Sequence, residues 1–141
     1  MALEKAGEAF EAGEVPVGAV LVESSGRHFA DRNRTGETGL PSAHAEHLVI
    51  TAAAKDRGDW RLEGCRLYTT LEPCLMCAGL IVLARVPRLV YGAKDNRFGA
   101  FGTVTDVLEM KELNHYPEVL GGCFEEEAAK LMKDFFKKNR K

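Results

Sequence analysis

Thr70-Leu71-Glu72-Pro73-Cys74-Leu75-Met76-Cys77, with His44-Ala45-Glu46 upstream, is the stretch on which the reading of this chain turns. Cys74 and Cys77 are three residues apart, so on a helix they lie one turn apart on one face and can grip one ion. Pro73 suits the start of that helix, because its φ is pre-set and its missing N–H is not needed there. Thiols at a helix N-terminus feel the positive end of the dipole, which favours the thiolate that metals bind. His44 is the natural third ligand. Two thiolates and one imidazole fill three of zinc's four tetrahedral positions and leave one for water, and that vacancy separates a catalytic site from a structural one.

Glu46 supplies the remaining chemistry. At roughly 100° per helical residue, a helix containing both residues sets His44 and Glu46 on different flanks of its first turn, one to bind metal and the other to move protons. Zinc lowers the pKa of its water to about 7, and Glu46 can accept that proton and deliver it to a ring nitrogen and then to a leaving amine. Hydrolytic deamination of an amino-substituted heterocycle is the reaction implied. The order H-x-E…P-C-x-x-C is the known signature of zinc nucleobase deaminases. Competing readings are a closed zinc knuckle and a redox Cys-x-x-Cys beside an unrelated histidine. A knuckle needs a fourth ligand from Cys65, Cys123, His28, His47 or His115, and none of these is paired with another ligand at short spacing.

A chain of 141 residues makes one domain, 1–141, able to bury about two-thirds of its unfolded surface. Apolar content of 45% against 28% charged is that of a soluble globular protein. Met1-Ala2-Leu3-Glu4-Lys5 carries charge too early for a signal peptide, and the most apolar run, Cys74 to Ala84, is too short to cross a bilayer. Four cysteines, two of them claimed by metal, make no disulfide framework. A cytoplasmic protein with no membrane partner is expected. The net charge of −2 gives no bulk support to a nucleic-acid partner, but the last twelve residues carry Lys130, Lys133, Lys137, Lys138, Arg140 and Lys141 against only Asp134. Glu125-Glu126-Glu127 at the start of that segment and lysines at its end complement a helix dipole, so by itself the run reads as a solvated helix end.

Along the chain, Ala2 to Ala12 reads as a helix with Leu3, Ala6, Ala9 and Phe10 on one face, stopped at Gly13. Val15 to Val22 is a β-branched, wholly apolar run, a strand covered on both faces. Ser24-Ser25-Gly26 turns it, and Arg27 to Asn33 returns as its partner. Thr35 to Ser42 is a loop, and the His44 helix runs to Arg57, ending at Gly58. Cys65 to Leu71 is a strand delivering Pro73 and Cys74 at its C-terminal end, where ligand sites of open α/β sheets lie. The helix that follows is apolar nearly all round and needs cover on both sides, one of them a second subunit. Arg88 to Lys94 is a strand, Asp95 to Gly102 a loop, Asp106 to Met110 a short helical piece, and Glu118 to Cys123 a last strand before the C-terminal helix. The alternation gives an α/β layer fold without linker or repeat.

The segments Gly13-Glu14-Val15-Pro16-Val17-Gly18-Ala19-Val20, Ala43-His44-Ala45-Glu46, Leu71-Glu72-Pro73-Cys74-Leu75-Met76-Cys77-Ala78-Gly79 and Asp134-Phe135-Phe136 resemble the bacterial tRNA-specific adenosine deaminases. Gly92-Ala93-Lys94-Asp95, Gly99-Ala100 and Asp106-Val107-Leu108 strengthen the match, which covers nearly the whole chain. The resemblance implies a cytidine-deaminase-like α/β/α sandwich of three layers on a central five-stranded mixed sheet. It also implies a homodimer, one Zn²⁺ per subunit, and conversion of the wobble adenosine of a tRNA anticodon stem-loop to inosine. Carried over by position, His44, Cys74 and Cys77 hold zinc and Glu46 shuttles protons. Asn33 contacts the flipped base, with turn capping as its other reading. Asp95 contacts the substrate backbone, with a surface loop carboxylate as the alternative. Phe136 and the basic tail lie near the anticodon loop, where core packing explains Phe135 or Phe136 equally well; the tail then gains a role at phosphates.

Several features depart from the family pattern. The chain starts late, so the first helix lacks its usual opening turn, and Leu40-Pro41-Ser42 replaces the commoner Asp-Pro-Thr. His47 stands at a usually apolar position and reads as a hydrogen-bonded helix histidine. Phe98 and Phe101 occupy a loop of usually smaller groups, placed to stack on a nucleotide or narrow the pocket. Cys65 and Cys123 read as buried thiols. The rival functions are a deaminase of free guanine or cytosine compounds, a zinc-stabilised RNA-binding module without catalysis, and action on single-stranded DNA.

Overall fold

Ala2–Glu11 forms α1 in the computed structural model, which describes residues 1–139. Its buried face is built from Ala6 and Ala9, and the small side chains let it approach the sheet closely. Contact is tightest at Gly18, where a Cβ would stand 2.1 Å from the Ala2 carbonyl oxygen. β1 begins there, at Gly18–Val22, three residues later than the apolar run suggests. Pro16 has no N–H to give a ladder, and Val17 N–H turns back to the Val15 carbonyl at 2.8 Å. β2, His28–Arg32, returns antiparallel, with Val20 opposite Ala30.

The 35–42 segment is not wholly a loop. Thr35–Thr38 closes one short helix, α2, with Gly39 in the left-handed conformation behind it. Its cap comes from outside: the buried Glu14 carboxylate accepts the Gly36 and Glu37 N–H groups at 3.0 and 2.7 Å. α3 spans Ala45–Arg57 and ends on left-handed Gly58, as the sequence suggests.

β3, Arg66–Leu71, lies antiparallel to β1 and parallel to β4, Arg88–Ala93, which in turn pairs in parallel with β5, Glu118–Leu120. The sheet is five-stranded and mixed, in the order β2-β1-β3-β4-β5. α4, Leu75–Leu83, bridges β3 to β4, and α5 is Glu125–Lys138. α1 and α5 pack together on one face of the sheet, and α3 meets α4 in the other helical layer. The three-layer α/β/α arrangement expected of the chain is therefore present. The core between sheet and α3–α4 is filled by Leu21, Val49, Leu67, Ile81, Val86 and Leu89.

Three side chains lie otherwise than the sequence suggests. Cys123 is exposed, because β5 stops at Leu120 and the cysteine falls in the turn before α5; Cys65 is buried as expected. Phe101 is 6% exposed and belongs to the core, so Phe98 alone of that pair faces solvent. His47 makes no bond through its enclosed Nδ1 among the described residues, so it packs in its helix instead of being anchored there. α4 keeps Leu75, Met76 and Leu83 exposed, so the chain by itself covers only one side of this apolar helix. Arg140 and Lys141 of the basic tail lie outside the described residues.

Candidate active site

The C-terminal end of β3 and the N-termini of α3 and α4 converge on one point. His44 and Cys74 are both N-caps with extended backbones, φ −81° and −75°, so neither sits inside its helix as the spacing alone suggests. Pro73 accordingly precedes the cap. Cys77, in the first turn of α4, is fully buried. The His44 Nδ1 lies 3.6 Å from Sγ of Cys74 and 3.6 Å from Sγ of Cys77, and the three donor atoms fall within 4.8 Å of one another.

This triangle fits a tetrahedral metal. Bonds of about 2.05 Å to nitrogen and about 2.3 Å to sulfur, meeting at a tetrahedral angle, put those atoms about 3.6 Å apart. His44, Cys74 and Cys77 are the group of metal-donor side chains of this kind among the described residues, and no fourth His, Cys, Asp or Glu joins it.

Electrostatics at the triangle already favour a thiolate. The neighbouring Cys77 thiol, with the nearby imidazole, holds Cys74 down to about 4. The proximity of Cys74, together with burial, pushes Cys77 far up, so the thiolate is favoured on Cys74 and the proton on Cys77. His44 is raised by its bond to Cys74. Glu46 is 4% exposed, and burial pushes its carboxyl up to about 7. A carboxyl balanced between its two forms near neutrality suits proton transfer in both directions.

Glu46, His44 and Cys74 open onto a cavity of about 390 Å³. Val15, Val17 and Leu71 give it apolar walls, and Asn33, Asp95 and Phe136 all line it, so the expected substrate residues share one pocket with the donor triangle. Asn33 is buried at the pocket wall, and its Oδ1 accepts the Ala45 N–H at 2.8 Å, which is the capping reading, made here at the start of α3. Asp95 accepts from the backbone N–H groups of Arg97 and Phe98 at 2.9 and 3.3 Å. Phe135 is the core member of its pair, while Phe136, 42% exposed, reaches the mouth under the Arg97 guanidinium, 5.7 Å from the ring centroid.

Sequence reasoning gave no role to Arg97, Met132, Glu14 or Glu72. Arg97 lines the pocket from an exposed loop position that carries no sequence signal, and Met132 from the half-buried face of α5 that it shares with Ala128 and Phe135. Glu14 and Glu72 did carry one: each is a carboxylate inside an apolar stretch, and each is buried without a cationic partner among the described residues.

Fold and site together define a deaminase of the cytidine-deaminase-like class. The family model for MafB19-like deaminases matches residues 1–140. The tRNA-specific adenosine deaminase of Bacillus subtilis is 48% identical over 141 residues, covering 99% of this chain and 87% of that one. A solved structure from work on A-to-I editing by tRNA deaminases at the wobble position superposes with a TM-score of 0.88 at 44% identity, covering 92% of this chain and 94% of that chain. Guanine deaminase from Nitrosomonas europaea is more distant, with a TM-score of 0.77 at 25% identity over 95% of this chain and 80% of that one. The chain belongs to the tRNA-specific adenosine deaminase family.

Proposed function

We propose that this protein hydrolyses the wobble adenosine of a tRNA anticodon to inosine, with zinc held by His44, Cys74 and Cys77. The observation that carries the reading is the tetrahedrally spaced donor triangle beside a buried Glu46 in one base-sized cavity. Bound there, zinc supplies Lewis acidity that makes hydroxide available near neutral pH. Glu46 takes the water proton and gives it to N1 of the ring as oxygen bonds to C6. It then assists proton delivery to the exocyclic nitrogen, the C6–N bond breaks, and ammonia leaves.

Asn33 has its oxygen committed to Ala45 N–H, so what it offers a flipped base is the Nδ2 donor. Phe98 and Phe136 at the mouth present faces to neighbouring bases, which stack favourably on aromatic rings. Loop bases enter such a pocket more cheaply than paired ones, because less stacking and pairing is lost. Lys137 and Lys138 on the last turn of α5 meet phosphates. The exposed Leu75, Met76 and Leu83 face of α4 is covered by a second copy, giving a homodimer. No helix among the described residues is long and apolar enough to cross a membrane, and a tRNA substrate places the work in the cytoplasm.

The test is mass spectrometry of an anticodon stem-loop after incubation, beside free adenosine and free guanine. Inosine in the stem-loop, with far slower turnover of the free compounds, is expected. Turnover of the free compounds alone makes the protein a free-base or nucleoside deaminase, the function named for the Nitrosomonas neighbour. Glu46→Gln should keep its zinc and lose ammonia release, and unchanged release removes Glu46 from the mechanism.

A further inference from the structure

Glu72 sits between the triangle and the loop that carries Asp95, Arg97 and Phe98. Its carboxylate is 1% exposed, and no cation pairs with it among the described residues. A buried charge without a counter-ion is expensive unless donors surround it, and here all the donors come from one loop. Oε1 accepts the Asp95 N–H at 3.2 Å and the Thr103 hydroxyl. Oε2 accepts the N–H groups of Phe101 at 2.9 Å and Thr103 at 3.3 Å. The loop is also drawn against the metal-binding turn itself: Ala100 N–H reaches the Pro73 carbonyl at 3.0 Å, and Gly99 forms an antiparallel bridge with Cys74. A Cβ on Gly99 would lie 2.6 Å from the Glu72 carboxyl carbon, so the loop closes on the carboxylate only because that position is glycine.

We infer that Glu72 is a positioning residue for substrate binding: its carboxylate fixes the 95–103 loop, and with it the Asp95, Arg97 and Phe98 wall of the pocket, in register with Cys74. The inference deepens the proposed function and rests on it for its kinetic half. Glutamate is required here and not glutamine, because three of the four partners are backbone N–H groups, which can only donate. A glutamine keeps one acceptor oxygen. Its NH₂ is best placed toward Thr103, whose hydroxyl can turn round and accept, and that orientation leaves the Asp95 N–H facing another donor. The release therefore falls on the residue proposed to touch the substrate backbone, while Cys74, Cys77 and His44 keep their places.

Glu72→Gln in the zinc-loaded protein should retain full zinc content and raise KM for the anticodon stem-loop about tenfold, the size of one lost charge-assisted hydrogen bond, with kcat within about twofold of the parent. Amide hydrogen exchange of the free enzyme should quicken at 95–103 and not in α4. Thr103→Val, which removes one donor from the loop side and leaves the carboxylate in place, should move both readouts the same way by a smaller factor, and it serves alone if Glu72→Gln does not fold. Unchanged exchange at 95–103 overturns the inference, as does a loss confined to kcat or accompanied by loss of zinc. Failure of the parent enzyme to convert the stem-loop instead overturns the proposed function, and the exchange measurement then still decides the role of Glu72.

Discussion

Asn33 caps α3 through Oδ1 and, in the proposed function, offers a base its Nδ2, and substitution can pull the two apart. Its Oδ1 satisfies the first helical N–H of α3, on Ala45, which is 0% exposed with Asn33 in place. Asn33→Ala orphans that donor, at about 1–3 kcal/mol. Unfolding entropy near 2.1 cal/mol/K per residue gives about 0.3 kcal/mol/K for a chain of this length, so a loss of about 2 kcal/mol lowers Tm by about 7 °C. Asn33→Asp keeps the acceptor and adds negative charge at a helix N-terminus, where it is welcome; its Tm should stay within about 2 °C of the parent. An ionised aspartate has no N–H for a base, however, and lies near Glu46 in the same pocket. Both variants should therefore lose about 10- to 100-fold in kcat/KM on the stem-loop, the equivalent of about 1.4–3 kcal/mol of transition-state binding. The assays are thermal melts followed by circular dichroism and inosine formation followed by mass spectrometry, on protein with verified metal content. An aspartate variant that melts as low as the alanine variant refutes the capping argument. One that deaminates like the parent refutes the base contact.

Three other perturbations test different parts of the structure. Gly18→Ala puts a methyl 2.1 Å from the Ala2 carbonyl and 2.6 Å from the Ala6 nitrogen, both backbone atoms of α1. The helix must lift from the sheet, at about 3 kcal/mol or more in a denaturant titration, and an unchanged midpoint would mean that α1 does not seat there. Glu14→Gln leaves one acceptor for two N–H groups of α2, so amides 36–37 should exchange faster and stability fall by about 1 kcal/mol; equal exchange in the two proteins counts against the remote cap. Zinc uptake by the stripped protein at pH 7 should release protons, because Cys77 holds its proton beside the Cys74 thiolate and must give it up to bind. Affinity then falls as pH falls. Calorimetric heats that do not depend on the buffer's ionisation enthalpy would contradict this.

The parts of the fold that the sequence displays are those whose causes are local. The β1–β2 hairpin follows from the β-branched run that ends at Val22 and the Ser24-Ser25-Gly26 turn behind it, and the end of α3 follows from Gly58, which takes the left-handed turn at φ 70°. The donor set was legible for a related reason: chemistry restricts which side chains can hold a metal, and Cys-x-x-Cys at a strand end leaves few arrangements. What stayed hidden depends on partners far along the chain. No residue near Arg34 announces a helix at Thr35–Thr38, because the capping carboxylate is Glu14, held on the other side of β1 and β2. Cys123 has the composition of a buried residue and lies outside only because β5 pairs for three residues and stops.

Glu14 and Glu72 are the same device used twice. One carboxylate carries the turn beside Asn33 and Thr35, and the other carries the loop beside Asp95 and Phe98, so the pocket lies between two walls that each hang from a buried acid. Neither wall belongs to a helix or strand long enough to hold itself in place, and a site that must admit a splayed nucleotide cannot be closed over by core packing. Backbone N–H groups gathered on an acceptor-only side chain give such loops a fixed shape while leaving their outer surfaces free for substrate. Those acids are buried for a reason that apolar periodicity does not record, and an acid enclosed in an otherwise apolar segment is therefore a pointer to the wall of a site even when it does no chemistry.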